Sequence, residues 1–127
     1  MLAVAVQRPA VSAAMREVNR ERRGHAFLPG WDALTAIPLL RATEHVPPAQ
    51  KIIHLHFFIG ACDWYVAELE DDTWEAFGYA KLGDPQNAEW GYFSLPELEA
   101  VVVGAGFVVE RELGWVAQRF SAVERRG

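Results

Sequence analysis

The segment Trp90–Glu99 constrains the local fold more than any other part of this 127-residue chain, because it predicts a strand followed directly by a helix. Ser94 and Glu97 have the spacing of a capping box, in which the serine hydroxyl accepts the N–H of the glutamate and the glutamate side chain returns to the serine N–H. Pro96 falls in the first turn, where its missing N–H costs nothing. The apolar residues with helical spacing are Leu95, Leu98, Val101 and Val102. We therefore predict a helix that begins after Ser94 and ends before Gly104.

Several stretches around this helix are rich in β-branched and aromatic residues and predict strands. The predicted strands are Lys51–Ile59, Cys62–Glu70, Thr73–Leu82, Glu89–Phe93 and Gly106–Glu112. Strict alternation would place Trp64, Val66 and Glu68 on one face of the second strand. Short consecutive strands joined by tight turns favour an antiparallel meander. The expected fold class is α+β, with a five-stranded, mainly antiparallel sheet, the capped helix on one face and N-terminal helices packed alongside.

The N-terminal region predicts two short helices. Ser12–Arg23 is the first, with Gly24 as its terminator, and Asp32 can cap a second that ends near Ile37. Because the first has a thin apolar face, we divide the chain into a basic extension, residues 1–24, and a single α+β domain, residues 25–127. The extension is expected to be dispensable for folding.

Composition limits the class of protein. Hydrophobic residues make up 51% of the chain, which suits a compact domain and excludes bulk disorder. The single cysteine, Cys62, excludes an intrachain disulfide and fits a reducing cytoplasm. No apolar run approaches the roughly 18 residues of a membrane span, so we expect a cytoplasmic protein without membrane contact.

Charge is distributed unevenly along the chain. Residues 1–23 hold five arginines and two glutamates, whereas residues 63–99 hold ten acidic residues and only Lys81 as a base. Such an acidic region disfavours direct nucleic-acid binding, which depends on basic residues that replace phosphate counterions. It would attract a basic protein surface instead.

Blocks spread along the chain resemble domain-of-unknown-function family 2958, a small bacterial family. The blocks are Leu39–Glu44, Lys51, Phe57-Phe58, Asp63-Trp64-Tyr65, Phe77-Gly78, Gly91–Glu99 and Glu110–Leu113. They cover roughly residues 28–116, and Glu112 stands where the family usually has aspartate. Because the family is carried largely by plasmids, integrative elements and phages, the resemblance implies a mobile-element accessory protein, with no established activity or cofactor.

The leading functional hypothesis is a non-enzymatic interaction protein that binds a host or element-encoded protein through an acidic and aromatic surface. The residues expected on this surface are Trp64, Glu68, Glu70, Trp74 and Glu75. Exposed aromatic residues and clustered charge are features of partner-binding sites. A counter-defence role, either anti-restriction or anti-CRISPR, is the most specific form of this hypothesis. The sequence leaves the oligomeric state open.

The alternative hypothesis is a small enzyme or ligand-binding domain with a pocket of histidine, glutamate and aromatic side chains. Its candidate residues are His54, His56, Tyr65, Tyr92, Glu110 and Arg111. His54 and His56 could ligate a metal with Glu68 as a third ligand, but two histidines alone do not make a zinc site, so no metal or cofactor is expected. Arg111 is expected either to pair with an inward carboxylate such as Glu99 or to lie at the rim of the sheet.

Overall fold

The computed structural model describes residues 15–125 as a mixed α/β arrangement. In chain order it contains helices α1 (Arg20–Arg23) and α2 (Trp31–Thr35), a 3-10 turn (Pro48–Gln50), and strands β1 (Ile52–Ile53), β2 (Leu55–Ile59), β3 (Cys62–Leu69) and β4 (Glu75–Leu82). A second 3-10 turn (Pro85–Asn87) is followed by β5 (Glu89–Ser94), α3 (Leu95–Ala100), β6 (Val102–Val103), β7 (Phe107–Val108), β8 (Glu110–Arg111), β9 (Gln118–Arg119) and α4 (Phe120–Arg125). The predicted α+β class is confirmed.

The central sheet has the strand order β5-β4-β3-β2-β8, and every neighbouring pair in it is antiparallel. Two short pairs, β1 with β9 and β6 with β7, lie outside it. The predicted first strand is divided at His54, whose N–H donates to the Val66 carbonyl at 2.8 Å. Because of this division, Ile53 and Leu55 belong to two different hydrophobic clusters.

One face of the sheet carries the main core. Phe57 of β2 stacks on Phe27 with ring centroids 4.4 Å apart, and Leu95 of α3 is fully buried in the same cluster. The predicted position of the capped helix, over one sheet face, is therefore correct. The other face carries a row of aromatic residues on which α4 packs, with Phe120 lying 4.6 Å from Tyr79 and 4.9 Å from Trp90 between ring centroids.

A β-bulge changes which residues of β3 share a face. The register with β4 shifts between Val66 and Glu68, so Glu68 lies opposite Phe77 while Leu69 lies opposite Ala76 and enters the core. A bulge places one extra residue on a strand and reverses the alternation beyond it. The prediction that Glu68 shares a face with Trp64 and Val66 is therefore wrong.

Helix α3 is shorter than predicted, because Val101 and Val102 lie outside it. Val101 has extended backbone angles and Val102 begins β6, which pairs with β7. Consecutive β-branched residues favour extended structure, and Gly104 and Gly106 adopt positive φ angles of 54° and 113° in the turn that joins the two strands. The segment therefore forms an antiparallel hairpin outside the central sheet.

Residues 15–24 pack into the domain instead of forming a separate extension, while residues 1–14 of the predicted extension lie outside the described part. Met15 belongs to the main core, and the only helical turn of the segment is α1. The Arg23 guanidinium is buried and donates to Glu99 Oε2 at 2.9 Å and to the Val109 carbonyl at 2.7 Å. The division at residue 24 does not coincide with a break in packing, so dispensability of the whole segment is not supported.

Ser94 is the N-cap of α3, as predicted, and its hydroxyl accepts the Glu97 N–H at 3.2 Å. We expect Ser94→Ala to lower the free energy of unfolding by about 1 kcal/mol, the usual contribution of such a cap. Urea denaturation should show a lower midpoint with an unchanged slope, and Ser94→Thr, which keeps the hydroxyl, should retain most of the stability. An unchanged midpoint for the alanine variant would contradict the capping role.

Candidate functional site

Two of the five residues predicted for partner binding are buried, and a third is half-buried against the core. Trp74 is 5% exposed and Glu68 is 2% exposed, and Trp64 packs against the main core. Trp74 also has a positive φ of 60°, and its carbonyl accepts the Leu95 N–H at 3.1 Å, which ties it to the start of α3. Trp74 is a core residue and Trp64 packs against the core, so the two tryptophans do not form the expected exposed aromatic patch.

Glu68 binds the backbone of the loop that contains Arg41 and Thr43. Its carboxylate accepts the N–H groups of Arg41 at 2.7 Å and Thr43 at 3.1 Å, as well as the Thr43 hydroxyl. Lys51 Nζ lies 4.0 Å from the same carboxylate and donates to the Thr43 carbonyl at 2.6 Å. A buried carboxylate with this many donors is satisfied within the fold, so Glu68 has a structural role.

The remaining two predicted residues, Glu70 and Glu75, lie at the β3–β4 connection. The Glu70 N–H donates to the Glu75 carbonyl at 2.8 Å and closes the turn. Carboxylate oxygens of Glu70, Asp71 and Asp72 lie within 4.8 Å of one another. We refer to Glu70, Asp71, Asp72 and Glu75 as the acidic turn. Among residues 15–125, no lysine, arginine or histidine forms an ion pair with Glu70, Asp72 or Glu75.

The residues of the alternative ligand pocket are mostly dispersed. Tyr92 is 55% exposed and packs against Phe77. The Glu110 carboxylate lies 3.0 Å from His25 Nε2. His54 is half-buried, and desolvation lowers its pKa, which favours the neutral ring. Of the six candidates, the structure brings His56 and Tyr65 into ring contact, at 4.5 Å between centroids.

Arg111 does not pair with Glu99, which is bound by Arg23 instead. The Arg111 guanidinium donates to the carbonyls of Phe27 at 3.0 Å and Ala26 at 3.3 Å. Burial lowers the pKa of Arg111, and the negative charge of Glu17 acts in the opposite direction. Arg111 therefore fixes the chain before α2 against β8 and is not part of a pocket with His56.

His56 lies between two carboxylates on the aromatic face. Its Nε2 is 2.8 Å from Asp63 Oδ1, and its Nδ1 is 2.6 Å from Glu112 Oε1. The ring stacks on Tyr65 with an interplanar angle of 9°. Each ring nitrogen thus lies within hydrogen-bond distance of one carboxylate oxygen. Both ring nitrogens are then engaged, which leaves neither of them open to ligate a metal.

Comparison with known proteins places these residues in a family. The model of the family described as "Protein of unknown function (DUF2958)" matches residues 35–123. The chain belongs to this family. No curated protein and no solved structure matches this chain. Within residues 15–125, no helix is both long enough and apolar enough to cross a membrane.

The contacts of Asp63 and Glu112 with His56 were not predicted, although both residues lie in blocks of the DUF2958 resemblance. Asp63 lies opposite Phe58 in the β2–β3 register, which places it on the same face as His56. Glu112 follows β8, and its N–H donates to the His56 carbonyl at 2.9 Å. The alternation of β2 and β3 about the Gly60 turn could have identified Asp63, whereas Glu112 required the pairing of β8 with β2.

Proposed function

We propose that this DUF2958 protein is a protein-binding module that engages a basic partner surface through the acidic turn. The observation that carries the proposal is the grouping of four carboxylates at one end of the sheet, three of them with oxygens within 4.8 Å of one another. Like charges held this close repel one another, and a cationic side chain from a partner would relieve that repulsion. Arginine suits the role, because its planar guanidinium binds carboxylates through two parallel hydrogen bonds.

The charge of the surrounding chain supports the same partner class. The net charge is −5, and residues 63–99 carry ten acidic residues against one lysine. Such a field accelerates encounter with a basic surface and opposes contact with nucleic-acid phosphates. In its most specific form, the proposal is a mobile-element protein that occupies the nucleic-acid site of a restriction or CRISPR protein by imitating phosphate charge.

A ligand pocket formed by His54, His56, Glu68 and Glu110 has less support. His56 is engaged by Asp63 and Glu112, while Glu68 is occupied by the loop that contains Arg41 and Thr43. Glu110 pairs with His25 at 3.0 Å. The groups that acid–base chemistry would use are therefore committed to separate contacts.

Neutralising the acidic turn is expected to slow association with the partner. The test variant is Glu70→Gln, Asp71→Asn, Asp72→Asn and Glu75→Gln combined, and the matched control removes four exposed charges elsewhere through Asp32→Asn, Glu44→Gln, Glu89→Gln and Glu124→Gln. A partner captured from a bacterial lysate by crosslinking would be purified, and its association rate measured by surface plasmon resonance at increasing salt.

The association rate should fall about tenfold or more for the test variant and much less for the control, and it should fall with salt for the unmodified chain. Equal slowing of both variants would show that only net charge matters. An association rate independent of salt would remove the basis of the proposal.

A further inference from the structure

An apolar cleft lies at the end of the sheet opposite to the acidic turn. Its volume is about 550 Å³, and its apolar lining comes from Phe58, Ile59, Val103, Phe107 and Val108. It also includes Gly60, which precedes β3, whereas the acidic turn follows the end of β3. An eight-residue strand spans roughly 25 Å, so the two sites are well separated.

The hairpin formed by β6 and β7 exposes apolar side chains toward this cleft. Phe107 is 69% exposed and Val103 is 45% exposed, and the two lie opposite each other in the β6–β7 register. Directly opposed residues of an antiparallel pair point to the same side. Contiguous exposed apolar surface of this kind marks a binding site more often than isolated apolar residues do.

Two charged side chains, Arg22 and Glu110, line the cleft. Arg22 of α1 lines it, and its Nη1 lies 3.1 Å from the position that a Cβ on Gly106 would occupy. Glu110, which also lines the cleft, has its carboxylate 3.0 Å from His25 Nε2. Within the part of the chain that the structure describes, no carboxylate forms an ion pair with Arg22. Arg22 therefore presents a cation beside an apolar wall.

We propose that this cleft binds an amphipathic organic anion, a small molecule with an aliphatic or aromatic body and one carboxylate or sulfonate group. The volume lies within the range of roughly 300–1,000 Å³ that is usual for small-molecule sites. Burial of the body against Phe107 and Val103 supplies affinity, and the Arg22 guanidinium selects for the anionic group. The proposal is independent of the acidic turn and of its partner.

A matched pair of fluorescent probes tests both features of the ligand. Anilinonaphthalene sulfonate carries the aromatic body and the anion, whereas phenylnaphthylamine carries the body alone. The sulfonate is expected to bind with one-to-one stoichiometry and to shift the backbone amide resonances of Val103 and Gly106 in two-dimensional NMR spectra. Arg22→Gln should weaken binding of the sulfonate by about fivefold to tenfold and leave binding of phenylnaphthylamine unchanged.

Two further variants make the result interpretable. Phe107→Ser should weaken both probes, and Arg20→Gln, which removes an exposed arginine of the same helix, should weaken neither. Equal binding of the sulfonate to Arg22→Gln and the unmodified chain would overturn the proposal, as would resonance shifts confined to α4 and to Tyr79 and Trp90, on which it packs. A dimer in sedimentation experiments that Phe107→Ser dissociates would also overturn it, because a second copy would then occupy the cleft.

Discussion

Glu99→Ala is expected to lower the free energy of unfolding by about 3–5 kcal/mol, because it leaves the buried Arg23 guanidinium without its close carboxylate. The same substitution removes the acceptor of the Val18 and Asn19 N–H groups, each of which donates to Glu99 at 2.9 Å. Glu17, 3.7 Å from the same arginine nitrogen, compensates only part of this loss. Urea denaturation measures the change, and Glu97→Ala, on the exposed side of the same helix, should alter stability far less.

Acid pH provides a second measurement of the same interaction. Burial alone would raise the pKa of Glu99, but the hydrogen bonds from Val18, Arg23 and Asn19 and the charge of Arg23 lower it below the ordinary value of 4.5. The unfolded chain then binds the proton more readily than the folded chain. The contribution of ionised Glu99 is complete above pH 4.5 and is lost as the pH falls through the lower folded-state pKa. Stability of Glu99→Gln should fall less steeply over this range, and equal slopes would contradict the assignment.

Glu68→Ala is expected to lower the free energy of unfolding by about 3 kcal/mol, because Lys51 is buried beside it and would lose its carboxylate. The N–H groups of Arg41 and Thr43 would lose their acceptor, which should increase their hydrogen-exchange rates more than those of β4 amides. Glu70→Ala, two residues along the chain, is the control and should change stability only slightly. Unchanged exchange at Arg41 and Thr43 would show that Glu68 does not hold the loop.

Local periodicity was sufficient to predict β2 to β5 and the start of α3, because alternation and the Ser94 cap depend on neighbouring residues. The predicted strand Gly106–Glu112 is instead divided between β7, which pairs with β6, and β8, which pairs with β2 at the edge of the sheet. The bulge in β3 could not be predicted, because alternation shows which residues are apolar but not where an extra residue is accommodated. Glu68 therefore looked like a surface residue, and its partner Arg41 is 27 positions away.

The docking of the N-terminal segment was also mispredicted, because it depends on residues that are distant in the sequence. Its thin apolar face predicts weak docking, but polar contacts hold it, and the Asn19 side chain reaches the Glu99 carbonyl across 80 positions. Helix α4 was not predicted at all; it is six residues long and is stabilised by packing of Phe120 on Tyr79 and Trp90. Short helices depend on tertiary packing more than on their own sequence.

Only part of the candidate site could be predicted from the sequence. Glu70 and Glu75 were predicted for partner binding from the excess of acidic residues in residues 63–99, and this role stays a prediction. His56 was identified as a candidate, but its partners Asp63 and Glu112 depend on the order of strands in the sheet. Trp64 and Trp74 were placed on a surface because the sequence does not show which face of the sheet the N-terminal residues cover.

The two neighbouring arginines of α1 make different contacts. Arg23 donates to the Glu99 carboxylate, whereas Arg22 lines the cleft. A four-residue helix has no stability of its own, so the position of Arg22 depends on the anchoring of Arg23. A substitution that breaks the Arg23–Glu99 contact would therefore also displace the cation of the cleft, although Arg23 itself does not line it. Anion binding at the cleft and stability of the fold are thus linked through two adjacent residues.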